Sequence, residues 1–383
     1  MGISASLAFS GSGAIVNNRV ITAGGTEIDG IKMQSSRFKM ENFRQSGFSP
    51  IIVILILVVL MISAFLWFKQ SQPELPNYTK PYEKVTMGIS ATSLLPSLVH
   101  IAEEKGFFLE QGIDVEVKGY PTGKAALSAA LEGEIDVGTV ADTPIVANSF
   151  KRKDFSIFAT ILDSAQHAKA LARKDRNINT PKDLMGKKIG TTIGTTAHFF
   201  MTTFFVLNNM DMGGVEIVNL KPKQMVNAIR NGDVDAIFAW EPNIYKANKI
   251  LGDNAVLLPS KVGYGATFNL ISKNYFIENN PELLKRILKA LVSAEAFVKD
   301  NREESIAIIA SRLKIDKEPI EKLWDGYIFK ISLSQSLLLT LESEAKWYIR
   351  GKLTEGTEVP NYLDYFYLDG LEEVKPEAIS IIR

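Results

Sequence analysis

The stretch AALEGEIDVGTVADTP (129–144) recurs later in the chain as AIRNGDVDAIFAWEP (228–242). Gly133 aligns with Gly232, Glu134 with Asp233, Ile135 with Val234 and Asp136 with Asp235. Each copy reads as a helix end, a glycine just past it, an acidic turn and a buried strand. The residue after a helix commonly turns left-handed, a conformation glycine adopts without a Cβ penalty. Any helix–glycine–strand joint explains the glycines; it does not explain the matched acidic pair. The repeat therefore implies two halves built on one plan.

The same alternation extends outward from both copies. Strands are predicted at 84–90, 113–118 and 135–140, with helices at 95–105 and 124–131 between them. It resumes with strands at 188–192, 215–220 and 234–239 and helices at 197–208 and 224–231. Short strands alternating with helices predict an α/β fold with mostly parallel sheets and helices on both faces. From Asn280 the chain turns mainly helical. Asn280 is placed to cap a helix and Pro281 suits its first position. Leu284, Ile287, Leu288, Leu291 and Phe297 or Val298 make its apolar stripe.

The composition excludes several functions. Lys+Arg and Asp+Glu balance at 43 each, so no global field favours nucleic acid. Cysteine is absent, which removes disulfides, a thiol nucleophile and a lipid-modified cysteine. His100, His167 and His198 show no metal-ligand spacing. No nucleophile elbow and no GxxxxGK[ST] loop occurs. No catalytic residue, metal or cofactor is expected, and the reading is a binding protein rather than an enzyme.

Residues 51–68, IIVILILVVLMISAFLWF, carry no charge and are long enough to span a hydrocarbon core. Arg37, Lys39 and Arg44 precede them and hold the N-terminus inside. A single-pass anchor in the cytoplasmic (inner) membrane follows, with the soluble part facing the periplasm or cell exterior. A cleaved signal peptide ending near Ala64 stays open, although Ile62 is a poor small-residue match. Residues 1–39 read as a disordered extension, with Met33 or Met40 as an alternative start. Residues 40–69 form the membrane or signal segment. Residues 70–83, rich in proline, form a semi-extended linker.

Four stretches together carry a family resemblance: EKGFFLEQGIDVEVKGYPTGKAALSAALEGEIDVGTVADTP (104–144), INTPKDLMGKKIGTTIGTTAHFF (178–200), NGDVDAIFAWEP (231–242) and NPELLKRILKALVSAEAFVKDNREESIAIIASRL (280–313). In that order and spacing the chain resembles the nitrate-, sulfonate- and taurine-type solute-binding proteins of ABC importers, relatives of thiamine pyrimidine precursor binders. The resemblance implies a two-lobed type II periplasmic-binding-protein fold. Lobe I would comprise 84–170 and 268–383, and lobe II 171–267, with crossings near 168–174 and 267–272. It implies a small polar solute, anionic or zwitterionic, captured by hinge closure and delivered to an ABC permease and ATPase. A membrane-anchored ligand sensor and a pyrimidine precursor binder are the alternatives. The family's precursor-synthesising enzymes carry a cysteine-rich motif that has no counterpart here.

Ligands of parallel α/β sheets sit beyond the carboxyl ends of the strands, which singles out five loops. They are ATSL (91–94), YPTG (120–123), ADTP (141–144), IGTTAH (193–198) and WEP (240–242). The candidate ligand-binding residues are Thr92, Ser93, Thr122, Gly123, Asp142, Thr143, Gly194, Thr195, Thr196, His198, Trp240 and Glu241. IGTTAH leads the list for an anion: Gly194 permits close backbone approach, and the helix start offers free N–H groups. Its threonines equally suit simple helix caps. His198 falls in the first turn, facing either the cleft or the interior. Trp240 offers an apolar face to a small organic group, or packs in the core. Asp142 and Glu241 either face the cleft, disfavouring a plain anion, or cap helices and say nothing of ligand charge.

Overall fold

A computed structural model of the chain describes residues 55, 58–63, 81–262 and 265–382. The chain divides into Met1–Glu74 and Leu75–Arg383. In the first unit residues 55 and 58–63 are helical; the other residues of the run 51–68, the extension 1–39 and linker residues 70–80 lie outside the described residues. Among the described residues no helix is long and apolar enough to cross a membrane.

The second unit begins β1 (Glu83–Ser90), α1 (Ser97–Glu104), α2 (Phe107–Glu110), β2 (Ile113–Tyr120), α3 (Gly123–Glu132), β3 (Val137–Ala141), α4 (Asp142–Ser149) and β4 (Phe155–Ser164). It continues β5 (Ala168–Arg173), β6 (Lys188–Thr191), α5 (Thr196–Leu207), β7 (Glu216–Asn219), α6 (Pro222–Asn231), β8 (Ala236–Trp240), α7 (Asn243–Leu251) and β9 (Ala255–Leu257). It closes with β10 (Ala266–Lys273), α8 (Asn274–Asn279), α9 (Pro281–Asp300), α10 (Arg302–Leu313), α11 (Lys317–Leu323), β11 (Ile328–Ser332), α12 (Gln335–Arg350) and α13 (Asp369–Val374).

Two sheets form, ordered β11-β4-β10-β3-β1-β2 and β7-β6-β8-β5-β9. β1 runs parallel to β2 and β3, and β6 parallel to β7 and β8. β10 lies antiparallel between β3 and β4; β5 lies antiparallel between β8 and β9. β5 follows β4 of the first sheet, and β10 follows β9 of the second. Each sheet therefore receives its antiparallel strand as the chain crosses over from the other. The expectation of mostly parallel sheets is corrected accordingly: the parallel strands form one flank of each sheet, and the crossover strands re-enter in the opposite direction.

The sequence repeat is a repeat in space. Gly133 and Gly232 share the same left-handed backbone, φ 81° and ψ 19°, just past α3 and α6. Both joints close alike, Glu134 N–H donating to Ala129 O at 2.9 Å and Asp233 N–H to Ala228 O at 3.0 Å. The matched aspartates have matched work. Asp136 Oδ2 accepts from the N–H and hydroxyl of Thr86, each at 2.7 Å, near the start of β1. Asp235 Oδ2 accepts from Lys188 N–H at 2.9 Å at the start of β6. Each carboxylate fastens the turn to the neighbouring parallel strand, where a backbone N–H would otherwise lose its partner.

The first sheet packs beneath a large core in which Leu98, Leu127, Phe158, Leu270 and Leu291 are fully buried. The stripe Leu284, Ile287, Leu288, Leu291 and Val298 faces it from α9. Pro281 opens α9 as expected, but the Asn280 amide donates to Phe276 O at 2.9 Å and closes α8 instead of capping. The second sheet is covered on one face by Phe200, Phe204 and Phe205 against Phe238, and on the other by Met225, Ile229 and Ile244 against Ile237. Truncating one such phenylalanine costs about 3–5 kcal/mol, a large share of a domain's stability.

Candidate functional site

Ser90, Ala141 and Trp240 end β1, β3 and β8, and all three line one narrow cavity of about 40 Å³ between the sheets. That is room for roughly three waters, so in this conformation it accepts an ion or a headgroup. A recess of about 920 Å³ elsewhere runs between α7 and α10–α11. No strand end opens into it, and it is a groove between helix flanks, so the small cavity is the better candidate.

Two helices from different sheets begin at the cavity. Thr122, Gly123 and Lys124 start α3; Thr195 and Thr196 start α5; all five line the wall. The first N–H groups of a helix have no intrahelical acceptor and carry partial positive charge. Gly123 is required by closeness: a Cβ there would meet Thr139 O and Val140 Cα at 3.2 Å. Thr122 Oγ1 accepts from Ala125 N–H at 3.1 Å and caps α3, leaving its own hydroxyl proton to donate. Thr195 Oγ1 donates to Thr192 O at 2.7 Å and does not cap α5. Gly194, with φ +74°, turns the chain into α5. Ser93 lines the cavity while its Oγ accepts from Leu95 N–H at 3.2 Å.

Both carboxylates are occupied by protein donors. Asp142 Oδ2 accepts from Thr267 N–H at 3.0 Å and Oδ1 from Thr143 N–H at 2.9 Å. Glu241 Oε1 pairs with Lys169 Nζ at 2.8 Å, and Oε2 caps α7 by accepting from Tyr245 N–H at 2.9 Å. Neither lines the cavity, and among the described residues no other acidic residue does. Thr143 points to the interior, donating to Glu344 Oε1 at 2.8 Å. Thr92 lies on a separate groove with Pro222 and Lys223. His198 lies behind the loop: Nδ1 accepts from Gly194 N–H at 3.4 Å, and its ring packs edge-on to Trp347 of α12 at 5.4 Å. Burial, and then the Lys124 charge, hold its pKa below the usual range.

Ser90, Lys124 and His167 line the cavity although the sequence reading did not single them out. Lys124 Nζ lies 2.9 Å from where a Gly194 Cβ would stand, so this α3 residue reaches the loop after β6. Among the described residues it has no ion pair. A lysine directly after the glycine of YPTG was the available signal. His167 lies in the crossing between β4 and β5, stacked on Trp240 with ring centroids 6.5 Å apart and planes 19° apart. Its Nδ1 is 3.4 Å from the Tyr327 hydroxyl. Burial first, and Lys169 second, push its pKa down to about 3. Among the described residues no cluster of His, Asp or Glu could hold a metal.

The taurine-binding periplasmic protein of Escherichia coli (strain K12) is 28% identical over 236 residues, covering 61% of this chain and 69% of that one. The fold matches the alkanesulfonate-binding protein SsuA from Xanthomonas axonopodis pv. citri bound to MOPS. The TM-score is 0.64 at 19% identity, covering 73% of this chain and 97% of that one. It also matches the desulfurization enzyme DSZB, with TM-score 0.59 at 14% identity over 77% and 99% of the two chains. The two structural likenesses speak for the fold alone. The family model described as NMT1/THI5 like matches residues 97–305, more than half of the 383 residues, and the chain belongs to that family.

Proposed function

We propose that the chain is an extracytoplasmic solute-binding protein that captures a small organic oxyanion, a sulfonate of taurine's kind, and delivers it to an ABC importer. The observation that carries this reading is the cavity's electrostatics. Two helix N-termini, the Lys124 ammonium and hydroxyls of Ser90, Thr122 and Thr196 meet where, among the described residues, Lys124 has no ion pair and no carboxylate lines the wall. Such a site favours the sulfonate head of a ligand and leaves an amine such as taurine's to lie outside it. The names borne by the taurine- and alkanesulfonate-binding relatives agree with it.

On this reading 84–170 with 268–383 and 171–267 act as two lobes that open to admit the solute and close on it. Trp347 of α12 against Phe199 of α5 at 5.0 Å, and Lys249 of α7 paired with Glu318 of α11 at 3.3 Å, are contacts that closure would make. The run 51–68 serves as the membrane anchor or signal segment. A thermal-shift screen of the full chain in detergent tests the function, using taurine, ethanesulfonate, nitrate, bicarbonate and pyrimidine precursors. A sulfonate at a hundredfold excess over its Kd stabilises the fold by about 2.7 kcal/mol. Stabilisation by pyrimidines alone, or by none of these, would overturn the reading.

A further inference from the structure

His167 is 3% exposed, lines the cavity, and is joined to the protein by one ring nitrogen. Nδ1 faces the Tyr327 hydroxyl at 3.4 Å, and Nε2 makes no hydrogen bond among the described residues. Which nitrogen holds the proton follows from counting buried donors. The Tyr327 hydroxyl is itself buried and keeps its proton, its pKa pushed well up by burial and then by Glu241. Its only partner among the described residues is His167 Nδ1. If Nδ1 carried the hydrogen, the tyrosine O–H would be buried with nothing to accept it, which costs more than an idle lone pair. Tyrosine therefore donates, Nδ1 accepts, and the hydrogen of the neutral ring sits on Nε2. The stack on Trp240 fixes the plane of the ring. Nε2–H is left to meet whatever the cavity holds.

We propose that His167 contacts the bound solute directly, as a neutral Nε2–H donor to an oxyanion oxygen, and that Tyr327 is the positioning residue that sets this tautomer. The proposal rests on the oxyanion reading and adds to it. An imidazole held neutral supplies a directed hydrogen bond without adding a second positive charge beside the exposed Lys124. It also discriminates: a ligand that places a donor against Nε2–H leaves two hydrogens facing each other, so the site selects an acceptor at that point.

The test uses the full chain in detergent, with taurine and ethanesulfonate as probes. Three histidines make long-range proton–nitrogen correlation spectra of 15N-labelled protein tractable. The parent is expected to show His167 as the Nε2–H tautomer before any ligand is added, and Tyr327→Phe to lose that preference. An Nδ1–H tautomer in the parent overturns the role of Tyr327. By calorimetry, His167→Phe and His167→Asn are expected to bind at least tenfold more weakly. His167→Gln, whose amide N–H reaches the place of Nε2, stays within a few-fold of the parent. If the parent binds neither sulfonate, the proposed function falls and this inference with it. If the parent binds and both Phe and Asn variants bind equally well, this inference alone falls. Should those variants fail to fold, the parent still decides. The His167 Nε2–H resonance is expected to move on saturation with taurine, and a stationary resonance overturns the contact.

Discussion

Lys124→Met should weaken sulfonate binding while leaving the fold intact or slightly more stable. Lys124 is the second residue of α3, where a positive side chain opposes the helix dipole and costs roughly 0.3–1 kcal/mol. It has no ion pair to repay that cost among the described residues, which is the pattern of a residue placed for a ligand. Its Nζ reaches to Gly194 across the cavity. Two charges 4 Å apart interact with about 4 kcal/mol at an effective dielectric of 20. Desolvation and side-chain ordering reduce this toward the roughly 1.5–3 kcal/mol of a hydrogen bond to a charged group. The expected loss is therefore about 10- to 150-fold in Kd for taurine or ethanesulfonate by calorimetry. Parent affinity should fall with added salt more steeply than the variant's. Thermal melting without ligand should be unchanged or up to a few degrees higher. A Met variant that binds within about twofold of the parent, less than ~0.5 kcal/mol, would refute the electrostatic reasoning.

Three further outcomes follow from other parts of the molecule. Asp136→Ala and Asp235→Ala each remove the carboxylate that holds an adjacent strand's N–H, and each should cost about 1–3 kcal/mol in urea unfolding; no loss in either would show that water replaces the latch. Acid should destabilise the protein below neutrality. Burial holds His167 at about 3 and His100 at about 4, and lowers His198, so between about pH 6.5 and 4 the unfolded chain binds more protons than the folded one. Each such histidine removes up to about 1.4 kcal/mol per pH unit as pH falls. Asp163, raised to about 6 by burial and then by Asp142, opposes one of them between pH 6 and 3.8. Melting temperature should therefore drop from pH 7 to 5, and a flat profile would contradict the burial of these rings. Finally, protease added to intact spheroplasts should digest 84–383 if Arg37, Lys39 and Arg44 hold the N-terminus inside; protection until lysis would reverse the topology.

The halves of the fold were legible because the repeat encodes local chemistry: a left-handed glycine and an aspartate that reaches one strand over. Strand and helix limits followed the apolar runs closely, as with 188–192 against Lys188–Thr191. The antiparallel crossover strands β5 and β10 lie where the family resemblance placed crossings, near 168–174 and 267–272, but no residue pattern marks their direction. β4 is buried on nearly its whole length and shows no alternation, and a crossover leaves no periodic mark. Among candidate residues, loop position picks out Ser93, Thr122, Gly123, Thr195, Thr196 and Trp240, which line the cavity, since strand ends open on one crevice. It did not reveal orientation. Thr143 turns inward because Glu344, from distant α12, waits there, and Asp142 is drawn to the Thr267 backbone on β10. Loop position does not mark Lys124, because its α-carbon lies inside a helix while its ammonium reaches Gly194. Nor does it mark His167, which belongs to a crossing between β4 and β5 rather than to a strand-to-helix loop.

The central claim is that the cavity between the sheets recognises the charge of a small oxyanion. Calorimetric titration of the full chain with ethanesulfonate, beside the uncharged ethyl methyl sulfone of nearly the same shape, tests it most directly. The account expects saturable one-to-one binding of the sulfonate and none of the sulfone at the same concentrations. Equal affinity for both, or binding of the sulfone alone, would contradict it.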